Sequence, residues 1–214
     1  MMVQENQKVN GTARKILFES MELIMKNLQD NMEHLNKPKY FQHTQKFIEL
    51  MYDGIVSKRR FFLLASGRSA YILQCFATRL VHLGARPYMI TNLTSNPAMR
   101  DKDILIVLSG SGTTEIVVSL LNSYVNKVKP YGIVTITSHP ETTIGRMGDI
   151  TIKLKGRTKR DRAIEEGDDT AILTPEGTAF EQVAFTYLDA IIAELAIRLG
   201  KSNDDLLGKH AVAE

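Results

Sequence analysis

Cysteine and long apolar runs are both scarce in this chain of 214 residues. The single cysteine, Cys75, cannot form an internal disulfide, a redox pair or a metal cluster. We therefore expect a reducing compartment and a Cys75 side chain buried in helix packing. The first ten residues are polar, and no apolar run approaches the roughly 20 residues that span a bilayer. These absences favour a cytoplasmic protein with no membrane partner.

The chain also lacks a strong charge of one sign. Its formal net charge is only +3, and the basic residues are mixed with acidic ones, so we expect no nucleic-acid partner. The 6 prolines and 14 glycines are near average usage, and no internal repeat is found, which favours an ordinary folded protein. We predict one domain over 1–214, with N-terminal helices at 1–57, an α/β core at 58–200 and a tail at 201–214.

Three motifs of nucleotide and DNA binding are missing. No G-x-G-x-x-G sequence follows a predicted strand, and no P-loop lysine is present, so neither a dinucleotide nor a nucleoside triphosphate site is predicted. A helix-turn-helix lead with a basic recognition helix is absent too, which disfavours direct transcriptional regulation.

The spacing of apolar residues predicts two helices and then an alternation of strands and helices. Apolar residues recur every three or four positions in 12–35 and 41–56, and Pro38 is expected to end the first helix. Five short apolar runs then alternate with helical segments, which is typical of a parallel doubly wound sheet of flavodoxin-like order 2-1-3-4-5. The predicted strands are 61–65, 88–90, 104–108, 133–136 and 150–154, and the helices between and after them are 70–83, 114–128 and 179–199.

Glycines and hydroxyl residues follow the first and third predicted strands. Residues 66–69 have the sequence Ser-Gly-Arg-Ser, and residues 109–114 have the sequence Ser-Gly-Ser-Gly-Thr-Thr. Each loop leads into a helix, whose unpaired N–H groups and positive dipole end favour phosphate. Glycine and serine after a strand can also be simple turn and capping chemistry. The two loops would meet at the switch point of the sheet, which favours phosphate binding over turn chemistry.

The order of these motifs resembles that of the sugar isomerase (SIS) domain. The matching segments are 66–69, 82–84, 109–115 and 177–181, and the chain resembles the 6-phospho-3-hexuloisomerase family most among its members. This resemblance implies a homotetramer that interconverts 3-hexulose 6-phosphate and fructose 6-phosphate through an enediol, without metal or organic cofactor. It also implies a place in the ribulose monophosphate pathway of formaldehyde assimilation. The alternatives are an isomerase of another sugar phosphate, such as arabinose 5-phosphate, and a non-catalytic phosphosugar sensor.

The resemblance also implies the catalytic residues. Glu181 matches the carboxylate that moves the carbon-bound proton, although Thr178-x-x-Glu181 is also the pattern of a capping box. His82 matches an acid or base of ring opening that serves its own or a neighbouring subunit's site, and its alternative is a partly buried structural histidine. His210 matches a terminal histidine of the family, with a disordered tail as its alternative.

The predicted substrate-binding set consists of the two loops. Arg68 would pair with phosphate or a sugar hydroxyl, and its alternative is a solvated loop arginine. Residues 155–169 are highly charged and almost without apolar side chains, so we predict a mobile loop or lid there. Apolar surface on the N-terminal helices and the last helix favours self-association. The binding set comprises Ser66, Gly67, Arg68, Ser69, Ser109, Gly110, Ser111, Thr113 and Thr114.

Overall fold

The computed structural model describes residues 2–90, 96–156, 158, 161, 173–202, 204, 205 and 208, with side chains from residue 14 onward. The helices are α1 (Met2–Leu35), α2 (Pro38–Val56), α3 (Arg68–His82), α4 (Glu115–Val125), α5 (Thr143–Arg146) and α6 (Thr178–Arg198). The strands are β1 (Arg60–Leu64), β2 (Arg86–Met89), β3 (Ile104–Leu108), β4 (Gly132–Thr137) and β5 (Ile150–Lys153).

The five strands form one parallel sheet in the order β2-β1-β3-β4-β5. Phe61 pairs with Ile104 in the register of β1 and β3, and Ile104 pairs with Gly132 in the register of β3 and β4. The connections between the neighbouring strands β1 and β2, β3 and β4, and β4 and β5 contain the helices α3, α4 and α5, as parallel pairing requires. The predicted fold class and strand order are confirmed.

Each face of the sheet is covered by a different set of helices. Phe61 and Leu63 point to one side, where they join a core with α2, α3 and α6, whereas Phe62 and Leu64 join a second core with α4 and α5. Alternate strand residues point to opposite faces, and here both faces are buried. The central strands β1, after its first residue Arg60, and β3 are therefore apolar on both faces, and both cores hold their carboxyl ends in fixed positions.

The two N-terminal helices differ from the prediction at their junction. α1 ends at Leu35, as predicted, but Pro38 is the first residue of α2, which starts three residues earlier than predicted. Proline fits this position because the first N–H of a helix needs no partner within it. Phe47 and Met51 of α2 are fully buried against the sheet. The predicted domain boundaries, which separate 1–57 from the core, stay a prediction.

Three further details were mispredicted or missed. Cys75 is exposed, because it lies on the face of α3 opposite Leu73 and Phe76. β2 starts earlier than predicted, at Arg86, because a basic residue and a proline hide the apolar pattern of this edge strand. α5 has only four residues, too few for a periodic signal. No helix in the described part of the chain is both long and apolar enough to cross a membrane.

Candidate functional site

A cleft of about 780 Å³ lies at the carboxyl edge of the sheet, where the neighbouring strands β1 and β3 end. Four segments line it: the loop after β1, the loop after β3, the start of α6 with the residues before it, and Thr158. The cleft brings together nine of the predicted site residues, namely Ser66, Gly67, Arg68, Ser69, Gly110, Ser111, Thr113, Thr114 and Glu181. The two loops therefore meet as their positions at the switch point predicted.

The loop after β1 leads directly into α3. Gly67 is the N-cap residue of this helix and has a φ of +60°, a conformation that glycine adopts at little cost. No side chain caps the helix start, which carries the hydroxyl of Ser69 and the guanidinium of Arg68 in its first turn. Such a start presents N–H donors and the positive end of the helix dipole to the cleft.

The loop after β3 is organised by hydrogen bonds between its own hydroxyls. Oγ of Ser109 lies 3.1 Å from Oγ1 of Thr114, and Oγ of Ser111 lies 3.5 Å from the same atom. The N–H of Thr113 is directed to Oγ of Ser111 at 3.4 Å. Ser109 is buried and does not line the cleft, so this predicted binding residue orients Thr114 instead of facing the cleft itself.

Two glycines allow the second loop to lie close to its surroundings. A Cβ at Gly112 would be 1.9 Å from Oγ1 of Thr142, and the φ of +65° at this residue also disfavours other side chains. A Cβ at Gly110 would be 2.9 Å from the ring of Phe180. The loop is thus packed between α5 and α6, which holds its hydroxyls at fixed distances from Glu181.

Glu181 and Arg68 form an ion pair across the cleft. Nε of Arg68 lies 2.8 Å from Oε2 of Glu181, and the Glu181 side chain is only 13% exposed whereas that of Arg68 is 63% exposed. Oε2 is buried, and no group in the described part of the chain meets it with the angles of a hydrogen bond, Arg68 included. The pair is therefore held by charge, and the carboxylate retains capacity to accept a proton.

Burial raises the pKa of the Glu181 carboxyl above its ordinary value, and the Arg68 guanidinium lowers it by a smaller amount. Desolvation has this effect because it disfavours the charged form of an acid. A raised pKa brings a carboxylate closer to the range in which it can both accept and return a proton near neutral pH.

The alternative role of Glu181 as a capping residue does not match the geometry. The N-cap of α6 is Gly177, with a φ of +86°, and Thr178 is the first helical residue. No side chain caps this helix, so the capping box that the sequence allowed is not formed. The Glu181 carboxylate faces Arg68 instead.

Two residues of α1 hold the segments around Glu181. Nδ2 of Asn27 donates to the carbonyl of Ala179 at 3.0 Å, in the first turn of α6. Asn31 donates to the carbonyl of Lys155 at 2.8 Å and accepts from the N–H of the same residue at 2.7 Å. Neither asparagine was recognised in the sequence, because contacts between α1 and a segment more than a hundred residues away leave no local pattern.

The predicted histidine His82 does not line the cleft. His82 is buried at the last residue of α3, whereas Arg68 is the first, so the helix separates them by about 20 Å. Within one chain His82 does not reach Glu181, and its acid or base role stays a prediction for a neighbouring subunit's site. His210 lies outside the described residues.

Several lining residues were not predicted from the sequence. Glu115, Thr158, Glu176 and Phe180 also face the cleft. Glu115 and Phe180 lie within recognised motifs, and Glu176 stands directly before one, so the motifs were the available signal. Among the described residues, no group of three or more His, Cys, Asp or Glu side chains could hold a metal ion.

The predicted lid at 155–169 lies mostly outside the described residues. Where it is described, Thr158 lines the cleft, and its N–H donates to Oδ2 of Asp161 at 2.7 Å. Nε2 of His139 lies 3.1 Å from Oγ1 of Thr158, which links this segment to the end of β4. His139 was not recognised in the sequence because nothing near it suggested a site.

Comparisons with known proteins agree with this geometry. The sequence model of the SIS domain family matches residues 54–186 of this chain. A protein of Archaeoglobus fulgidus is 36% identical over 162 residues, which cover 75% of this chain and 84% of the relative. The protein named 3-hexulose-6-phosphate isomerase from Methanocaldococcus jannaschii is 31% identical over 188 residues, which cover 88% of this chain and 90% of the relative.

A solved structure has the same architecture. It is that of a Methanococcus jannaschii protein whose molecular function was inferred as 3-hexulose-6-phosphate isomerase. It matches with a TM-score of 0.73 and 27% identity, over 90% of this chain and 98% of the other. The family model matches more than half of the chain, and the two relatives are more than 30% identical to it. The chain therefore belongs to the SIS domain family.

Proposed function

We propose that this chain is a phosphosugar isomerase that interconverts 3-hexulose 6-phosphate and fructose 6-phosphate. The observation that carries the proposal is the position of Glu181, a mostly buried carboxylate in the same cleft as the two hydroxyl loops. The relative from Methanocaldococcus jannaschii that bears the name of this activity supports the choice of substrate.

The loops provide the binding step of this proposal. The first turns of α3 and α4 lack side-chain caps, and the hydroxyls of Ser69, Ser111 and Thr113 lie beside them. Helix starts and hydroxyl donors together favour a dianionic phosphate. Binding the phosphate there leaves the sugar chain to extend toward Glu181, which lies across the same cleft.

Glu181 provides the proton transfer. In the direction of fructose 6-phosphate, its carboxylate removes the proton from C2 of the 3-ketose. The C–H electron pair forms the C2–C3 double bond, the π pair of the C3 carbonyl moves to O3, and O3 takes up a proton from solvent to give the enediol. Glu181 then returns its proton to C3, and O2 gives its hydroxyl proton to solvent as the C2 carbonyl forms. A carboxylate with a raised pKa suits both halves of this exchange.

Arg68 has two functions in this proposal. Its guanidinium lies 2.8 Å from Glu181, and its largely exposed side chain can turn toward a phosphate or sugar oxygen. If the Arg68 guanidinium turned from Glu181 to the substrate, the positive charge that lowers the pKa of the Glu181 carboxyl would be removed. Substrate binding would then make Glu181 a stronger base at the moment when the base is needed.

The proposal includes a cytoplasmic homotetramer acting in the ribulose monophosphate pathway. Large apolar side chains on α1 are exposed in the single chain, which supports self-association; they include Ile16, Leu17, Phe18, Met21, Met25 and Met32. In such an assembly His82 could serve a neighbouring cleft. Light scattering at micromolar concentration tests this part, and a monomer would contradict it.

The test of the activity is an isomerase assay on 3-hexulose 6-phosphate with Glu181→Gln, which keeps the volume of the side chain but cannot take the proton. We expect kcat to fall by about a thousandfold, the middle of the range for a general base. The matched control is Glu194→Gln, an exposed carboxylate on the same helix. Undiminished turnover in Glu181→Gln would exclude Glu181 as the base.

A substrate panel separates the proposal from its alternatives. Faster turnover of arabinose 5-phosphate than of 3-hexulose 6-phosphate would assign the chain to another sugar phosphate. Binding of fructose 6-phosphate without turnover would make it a sensor. Both results would leave the phosphate-binding role of the loops intact.

A further inference from the structure

A second, strongly basic pocket lies at the amino edge of the sheet, opposite the candidate active site. It has a volume of about 400 Å³ and is formed where β1, β2 and β3 begin. Two acidic residues line it, Asp101 and Asp103. The basic side chains that line it are Lys58, Arg59, Arg60, Arg86, Arg100 and Lys102.

Both carboxylates of this pocket already have partners. Asp103 is bound by Arg60 through two contacts, at 2.9 Å to Nε and 2.5 Å to Nη2, and it also accepts from the N–H of Arg100 at 2.7 Å. Asp101 accepts from the N–H of Lys129 at 2.7 Å. In the described part of the chain, Arg60 is the one basic residue of the pocket with an ion pair. The other five have no carboxylate at ion-pair distance there.

Helix dipoles do not account for this charge. α2 and α3 end beside the pocket, and each helix end carries roughly half a negative charge. Two ends therefore amount to about one negative charge. Six basic and two acidic side chains exceed that, leaving about three positive charges unbalanced.

Besides Arg60, two basic side chains of the pocket, those of Arg59 and Arg86, are held in place before any ligand binds. The guanidinium of Arg59 lies over the ring of Tyr131 at 3.7 Å and donates to the carbonyl of Lys102 at 3.2 Å. Arg86 donates to the carbonyl of Lys58. Nε of Arg59 is buried and has no hydrogen-bond partner in the described part of the chain. Charges that are fixed in advance bind an anion with less loss of side-chain freedom.

The backbone at the rim of the pocket is unusual. Lys58 has a φ of 53° and Lys102 a φ of 73°, and they are the two non-glycine residues with positive φ in the described ranges. Glycine would adopt these conformations at lower cost, and residues held in such regions cluster at functional sites.

We propose that this pocket binds a small phosphorylated molecule with at least two negative charges. The site is separate from the candidate active site, because strands of about five residues place the two edges about 15 Å apart. A small molecule is favoured over nucleic acid because the basic charge is confined to one pocket in a chain of net charge +3. The inference does not depend on the proposed isomerase activity.

The test is calorimetric titration of the full chain with inorganic pyrophosphate at fixed ionic strength. Arg86→Gln/Arg100→Gln removes two exposed charges of the pocket and leaves the Arg60 pair intact. We expect binding to weaken about tenfold for each charge removed. The control Arg79→Gln/Arg146→Gln removes the same charge from exposed sites elsewhere and should leave binding unchanged. Arg68→Gln should also retain this binding, because it alters only the other edge.

Three results would overturn the proposal. Binding that is lost in Arg68→Gln but kept in the double variant would place pyrophosphate in the candidate active site alone. A DNA duplex that binds more tightly than pyrophosphate, with the same arginine dependence, would assign the surface to nucleic acid. Equal binding by the double variant and wild type would also refute it. If the double variant does not fold, Lys102→Gln at another exposed side chain provides the same test, with an expected loss of about tenfold.

Discussion

The two edges of the sheet carry positive potential from different sources. At the carboxyl edge the lining is mainly glycine and hydroxyl residues, and its ion pair, Arg68 with Glu181, spans the cleft. At the amino edge the lining is mainly arginine and lysine. The direction of the helices explains the difference, because α3 and α4 begin at the carboxyl edge and α2 and α3 end at the amino edge. Where helices begin, N–H groups supply positive potential, and where they end, side chains must supply it.

This contrast also affects how the two sites respond to conditions. Neutral donors in a packed loop depend on exact backbone position, whereas exposed cations depend on ionic strength. A substitution that moves the backbone should therefore be most harmful at the carboxyl edge. Charge substitutions should matter most at the amino edge.

The largest effect should come from Gly112→Ala, in the loop of the carboxyl edge. The new Cβ would meet Thr142 at 1.9 Å on a residue with φ +65°, so we expect the free energy of unfolding to fall by about 3 kcal/mol. The matched control is Gly84→Ala, which has φ +87° but open space around the Cβ and should cost about 1 kcal/mol. Chemical denaturation measures both, and equal losses would show that the packing of this loop is unimportant.

The next largest effect on the free energy of unfolding should come from the Arg60–Asp103 ion pair at the amino edge. Asp103→Asn leaves the mostly buried guanidinium of Arg60 without a charged partner, and we expect a loss of roughly 2 kcal/mol because water can still reach part of it. Asp101→Asn, at an exposed carboxylate in the same pocket, should cost less than about 1 kcal/mol. If both variants unfold at the same denaturant concentration, the pair does not stabilise this edge.

A smaller effect should follow from Arg68→Gln. This change removes the charge that lowers the pKa of Glu181, so the acid limb of the kcat/KM profile should move to higher pH. Loss of one charged contact should also reduce kcat/KM at neutral pH by about tenfold. Arg79→Gln, on an exposed position of the same helix, should leave the profile in place. A limb that moves to lower pH would contradict the proposed ion pair.

The smallest effect should be a gain in stability in Glu181→Gln. The pKa of Glu181 is raised in the folded chain, so the folded state holds the proton more tightly than the unfolded state. That stabilisation is complete below the ordinary glutamate pKa and is lost as pH rises through the raised value. At neutral pH the variant should therefore melt at a higher temperature than wild type, and the difference should shrink in acid. A lower melting temperature at pH 7 would contradict burial as the cause of the shift.

Local patterns in the sequence predicted most of the fold. The apolar strands and amphipathic helices were found because both leave a regular spacing over a few residues. The loops at 66–69 and 109–114 were recognised because glycine and hydroxyl residues follow strands there. The errors occurred where the spacing was hidden, as at Pro38 and in β2, whose first residues are arginine and proline.

The candidate site was predicted in part. Sequence motifs predicted the two loops and Glu181 as site residues. The structure showed that Ser109 lies behind its loop and that the length of α3 separates His82 from Arg68. Asn27 and Asn31 were missed because their contacts join α1 to segments far along the chain.

By itself, the sequence determined the parallel α/β architecture and predicted that two loops bind phosphate, because both inferences depend on neighbouring residues. Only the tertiary structure decided that Arg68 pairs with Glu181 and that six basic side chains gather at the amino edge. These arrangements join residues from separate strand ends. Strand order and register set their distances, and no spacing along the chain encodes them.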